Sequence, residues 1–212
     1  MFIPLGNCSI AFQLNKFNLR TISLPFDWID SKLDFILDAI NNDFIDFHIL
    51  SIIKFSHNHN SLLLKNKYNI KFAHMISQPQ QILLLQNKLL NRITKFKSIK
   101  SPVFIRMEHK KINNNYIITL NNLIDSLYTI FNDFSFILII HNKYTIHTHH
   151  KNITIFYFSQ FSQDWKRNDI DWLSIFQSHS HLLEDPPYNF HTNNNNPLNS
   201  YPLALHDENS HE

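Results

Sequence analysis

The sequence predicts an α/β fold of three layers, with helices on both faces of a mostly parallel sheet. Three observations carry this. Helical stripes alternate with short apolar runs across residues 82–158, the rhythm of βαβ units. Phe136–Ile140 is apolar at every position, as expected of a strand covered on both faces. Hydrophobic residues make up 43% of 212 and aromatics 14%, enough for a large core.

Each element has its own local signal. Phe2-Ile3-Pro4-Leu5 is a short apolar run that can form a first strand. Gly6 follows, where a strand must turn sharply into a helix and a positive φ or close backbone approach is needed. Ile10, Ala11, Leu14 and Phe17 then share one helical face. Pro25 stops regular helix in the segment Leu24-Pro25-Phe26-Asp27-Trp28-Ile29. Ser31 and Asp34 resemble a capping box ahead of the stripe Leu33, Ile36, Leu37, Ile40, which predicts a helix from Ser31 to about Asn42. Residues 44–73 read as extended, with a strand over Phe47–Ile53 and a hairpin turn at Lys65-Asn66-Lys67. Pro79 starts a long helix with Ile82, Leu85, Leu89, Ile93 and Phe96 on one face and Lys88, Arg92, Lys95 and Lys97 on its basic side. Val103–Ile105 is the next strand, and Leu120–Phe131 carries the next amphipathic helix. Ile153–Phe158 is a further strand, and Trp165–Phe176 a last helix. From Asp185 the Asn- and Pro-rich composition predicts a flexible or loosely packed tail, so that residues 1–184 form one domain.

Composition excludes several classes of function. A formal net charge of +2 offers no argument for nucleic acid or an acidic membrane surface. No run approaches the roughly 20 apolar residues of a membrane span, and no basic stretch precedes the first apolar run, so the expected location is cytoplasmic, in a cell or an infected host. A single cysteine excludes an intrachain disulfide framework. One glycine cannot supply a phosphate-binding glycine loop, and the serine-hydrolase elbow is absent. Of fourteen histidines, seven gather at His57-Asn58-His59, His147-Thr148-His149-His150 and His179-Ser180-His181. No acidic residue stands beside these pairs in a metal-binding pattern, so they read as polar loops and no metal or other cofactor is expected.

The sharpest functional candidate is Cys8, two residues after the only glycine and at the first turn of the predicted helix. Unpaired amides and the helix dipole there favour an anion, which lowers a thiol's pKa and makes it a nucleophile. The alternative is a small buried hydrophobe. Asp27, between two aromatics, is either a loop staple or a site carboxylate that orients a base. His74 follows a predicted strand end, where α/β proteins place their sites, and is the imidazole to pair with Cys8.

Leu5-Gly6-Asn7-Cys8, followed by Ser23-Leu24-Pro25-Phe26-Asp27-Trp28-Ile29, resembles the opening of a family described as putative papain-like cysteine peptidases, a domain family of unknown function also met in giant viruses. Tyr68-Asn69-Ile70-Lys71-Phe72-Ala73-His74 is similar to that family's Y-x-hydrophobic-x-F-x-H element. Asn91-Arg92-Ile93-Thr94-Lys95-Phe96 is similar to its basic helix, and Val103-Phe104-Ile105-Arg106 to the strand after it. Met75 stands where the family has an acidic residue, and Asn91 and Lys95 replace two of its arginines. The resemblance implies Cys8 as nucleophile and His74 as base. It also brings in a papain-like α+β arrangement as the alternative fold.

The expected chemistry is acyl transfer or hydrolysis of a peptide, isopeptide or thioester bond in a protein or peptide substrate. Asp27, or a polar group such as Asn142 after the buried strand, orients the histidine. Asn7, Trp28, Arg92, Arg106 and Asn142 are the residues expected to meet the substrate. The competing expectation is a non-catalytic interaction module with Cys8 buried and the basic helix docking a partner.

Overall fold

The structure, a computed structural model, describes residues 1–57, 60–73, 75–109, 112–160 and 162–179. His74 and the predicted tail from Asp185 therefore lie outside the described residues.

The chain opens with β1 (Phe2–Pro4), α1 (Cys8–Lys16) and α2 (Leu33–Asn41). Three short strands follow: β2 (Ser51–Ser56), β3 (Ser61–Lys65) and β4 (Lys71–Phe72). A single 3-10 turn, Pro79–Gln81, leads into α3 (Ile82–Ser98). Then come β5 (Val103–Glu108), α4 (Asn114–Tyr128), β6 (Ser135–His141), β7 (Ile153–Phe158) and α5 (Trp172–Gln177).

β1, β5, β6 and β7 form one sheet in the order β1-β5-β6-β7, and every pair is parallel. Strand alternation sends Val103, Ile105, Met107, Ile137 and Ile139 to one face, where they pack with Ile10 and Leu14 of α1 and Trp172, Ile175 and Phe176 of α5. Phe104, Leu138 and Ile140 face the other way, into a larger core built with α2, α3 and α4. The result is the three-layer α/β architecture rather than the α+β alternative, because the buried apolar runs of β5 and β6 need cover on both faces.

β2, β3 and β4 form a separate antiparallel sheet. Its turn is built by Asn66, whose Oδ1 accepts from the Tyr68 and Ile70 amides while its Nδ2 donates to the Phe47 carbonyl. Leu62, Leu64 and Phe72 face the larger core.

Several predicted boundaries differ, among them that of α4, which begins at Asn114 rather than Leu120, and three have a clear physical reason. The strand expected over Phe47–Ile53 begins at Ser51, because residues 42–48 are spent in turns with Asp43, Phe44 and Asp46 all at positive φ. The capping box at Ser31 does not form, and α2 starts at Leu33. Ser31 is buried, with its amide bonded to the Gly6 carbonyl and its own carbonyl to Arg106. The last helix covers only Trp172–Gln177, because the chain turns at Arg167 (φ 52°) and a residue in that region cannot continue a right-handed helix.

Candidate active site

All four parallel strands end on the same edge of the sheet, where open α/β folds carry their sites. β1 delivers Leu5-Gly6-Asn7-Cys8 to that edge. The Leu5 amide donates to the Ile105 carbonyl at 2.8 Å, the last backbone bond from β1 to β5. Gly6 then turns the chain at φ 73°. A Cβ there would also stand 2.7 Å from Ile36 Cδ1 and 3.1 Å from Arg106 Nη1, so both conformation and space require glycine.

Asn7 occupies the N-cap of α1 but does not cap it. Its Oδ1 accepts the Met107 amide at 3.0 Å, so the side chain continues the sheet where the backbone has left it. The first-turn amides of α1 are thereby left without the side-chain oxygen that an N-cap asparagine ordinarily supplies.

Cys8 is the first residue of α1 and is half-buried. Its thiol is not lowered as the helix N-terminus predicts. Burial, followed by the Asp30 carboxylate, pushes it up to about 12, against a smaller opposing effect of its own backbone hydrogen bond. Removing a thiolate from water outweighs the helix dipole here. Cys8 is therefore held as a thiol at neutral pH.

Arg106 is 3% exposed, and it holds the turn rather than facing solvent. Its Nη1 donates to the carbonyls of Leu5 (2.9 Å), Ser31 (2.7 Å) and Gly6 (3.4 Å), and its Nη2 pairs with Glu108 at 3.0 Å. Tyr116, on α4, is half-buried within electrostatic reach of both charges. Its hydroxyl is pushed up by desolvation, against a smaller opposing effect of Arg106.

The structure adds a histidine that sequence reasoning missed. His109 follows β5 directly, on the same edge as Cys8, and both groups feel the Asp30 carboxylate. Arg167 Nη1 lies 3.1 Å from His109 Nδ1. A guanidinium can only donate, so Nδ1 is the acceptor and the ring proton resides on Nε2. Burial, then Arg167, holds the imidazole below its ordinary pKa, so it is neutral at pH 7. Arg167 is itself buried, paired to Asp169 through two bonds of 2.8 Å and seated 4.4 Å over the Phe158 ring. The signal for His109 was its place just beyond a strand; Arg167 gave none, because it was read inside a helix.

The Pro25-Phe26-Asp27-Trp28 segment forms a second cluster. Phe26 is fully buried, edge-on to Phe47 and Phe96. Asp27 Oδ2 is bonded to Arg20 (2.8 Å) and to the Leu24 amide (3.0 Å), the arrangement of a loop staple. Desolvation, partly offset by Arg20, raises its pKa. Arg92, half-buried on α3, acts on Asp27 electrostatically, so two motifs 65 residues apart in sequence share one charge cluster. Trp28 sits at φ 57° with the Arg20 guanidinium 5.8 Å from its ring. The carboxylate acting on Cys8 is Asp30, not Asp27. Asn142 is exposed just beyond β6, its amide bonded to the Phe158 carbonyl.

The fold and this edge define a parallel α/β protein with a thiol at the head of its first helix. Residues 1–144 match the family described as "Putative papain-like cysteine peptidase", and the chain belongs to that family. It is also 28% identical over 214 aligned positions to an uncharacterized protein of Acanthamoeba polyphaga mimivirus, covering 82% of this chain and 96% of that one. No solved structure matches. Among the described residues, no helix is long and apolar enough to cross a membrane.

Proposed function

We propose that the protein is a cysteine-dependent acyl hydrolase acting on a peptide, isopeptide or thioester bond of a protein substrate, with Cys8 as nucleophile and His74 as base. The observation that carries the reading is Asn7. Its amide is diverted to Met107, which leaves the head of α1 uncapped beside the Cys8 thiol. Uncapped amides at that point suit a developing oxyanion. In the reaction the Cys8 Sγ–H proton passes to the imidazole and Sγ bonds to the acyl carbon. The amine or thiol leaves with that proton, and water then splits the thioester to release the acid and restore the thiol. A thiol raised to about 12 needs such a base, since below pH 8 only about one molecule in 10⁴ or fewer carries the thiolate. His74 comes from the family motif, and His109, with its Nδ1 lone pair held by Arg167, is the less available base.

The same raised thiol favours a second reading, a non-catalytic module in which Cys8 is a packing residue. Alkylation of the lone cysteine by iodoacetamide as a function of pH separates the two. The hydrolase reading expects reaction in the native protein with an inflection well below 12, moved upward in His74→Ala. A Cys8 that reacts only after unfolding overturns it in favour of the packing role.

A further inference from the structure

We propose a second site, a transition-metal site of the zinc class formed by Asp125, His149 and His150 at the opposite end of the sheet from Cys8. Asp125 lies on α4, and the two histidines lie in the loop from β6 to the start of β7. One potential ligand atom from each residue lies within 4.8 Å of the others. His150 Nε2 stands 3.6 Å from Asp125 Oδ1. Two donors bound to one tetrahedral ion at about 2.0–2.2 Å lie roughly 3.4 Å apart, so this pair is already near its bound spacing.

The decisive atom is His150 Nε2. The His150 side chain is only 8% exposed, and Nε2 is buried with no hydrogen-bond partner. The ring also lies against the Asn121 backbone, one turn before Asp125 on α4. Nε2 faces the Asp125 carboxylate oxygen at a spacing that a shared ion would fill. Backbone groups packed beside a histidine ring are the usual outer support of a metal ligand.

The loop is braced on the same helix turn. Thr148 Oγ1 donates to Asn121 Oδ1 at 3.1 Å and accepts the His150 amide at 3.2 Å. The His149 and His150 rings lie 4.0 Å apart, so both imidazoles approach one point. Two imidazoles and one carboxylate suit Zn²⁺ or a neighbouring late transition ion and disfavour Mg²⁺ or Ca²⁺, which prefer all-oxygen shells. Here β7 begins, whereas Cys8 stands where β1 has ended. The ion therefore ties the crossover loop to α4 and takes no part in the thiol chemistry.

No acidic residue stands beside these histidines along the chain. Asp125 is supplied from 24 residues upstream by the packing of α4.

The test uses the full chain freed of metal by a chelator, then given ZnCl₂ or MgCl₂. Expected is a melting temperature that rises with Zn²⁺ and not with Mg²⁺. Asp125→Asn and His149→Gln alter exposed side chains, so both should melt like the wild type in chelator. Each should weaken Zn²⁺ binding at least tenfold in competition with a chromophoric chelator. Absence of a Zn²⁺ shift overturns the site. So does an equal shift and equal affinity in both variants, which assigns the binding to other histidines of the 14.

Discussion

Asn7 Oδ1 accepts the Met107 amide at 3.0 Å, and so the residue at the head of α1 serves the sheet instead of the helix. This one bond links the end of β1 to β5, fixes the start of α1, and leaves the amides beside Cys8 uncapped.

Asn7→Ala strands the Met107 amide in a buried position. The expected loss is about 1–3 kcal/mol, the cost of an unsatisfied buried donor, read as a lower midpoint in urea unfolding with an unchanged slope. A loss below about 0.5 kcal/mol would show that the bond contributes nothing.

Gly6→Ala meets two penalties. A left-handed φ costs a non-glycine residue about 1–2 kcal/mol. The added Cβ would crowd Ile36 and Arg106, and overpacking typically costs about 1–3 kcal/mol more. Thermal unfolding of the variant should show a drop of several degrees, and a melting temperature equal to the wild type contradicts the described turn.

Arg106→Met removes the cation from a buried pair. Glu108 then loses the guanidinium of its buried pair, and the carbonyls of Leu5 and Ser31 lose their donor. Destabilisation of about 3–5 kcal/mol is expected at neutral pH. The double variant Arg106→Met with Glu108→Gln should recover part of it, and the double-mutant cycle measures how much.

His109 makes stability depend on pH. Its folded pKa lies below the unfolded value of about 6.5, because burial and Arg167 oppose the charged ring. Below pH 6.5 the unfolded chain takes up a proton that the folded chain refuses, so stability is full above that pH and falls as the solution is acidified through it. His150 is lowered in the same direction, chiefly by burial. His109→Gln should therefore flatten part, not all, of the loss that sets in below about pH 6.5. An unchanged slope would remove His109 from the account.

Arg167→Gln takes away the donor at His109 Nδ1 and the nearby charge. The imidazole should titrate closer to its ordinary value, seen as a midpoint at higher pH when its ring-proton resonances are followed in an NMR titration. A downward shift contradicts the electrostatic assignment.

Much of the fold was legible in the chain because its signals are local. Apolar runs at β5 and β6 and the stripes of α3 and α4 each report burial on a fixed period, and together they determine a covered parallel sheet. The single glycine two residues before the single cysteine likewise located the turn at the head of α1. Tertiary structure decided what those residues experience. Whether Cys8 is a thiol depends on desolvation and on Asp30, and Arg106 holds the turn because Leu5 and Ser31 bring their carbonyls to it from elsewhere in the chain. His109 meets Arg167, and Asp125 meets His150, only because strands and helices far apart in sequence pack together. Spacing along a chain encodes which face is apolar. It does not encode which charges share a low-dielectric edge, and protonation is set there.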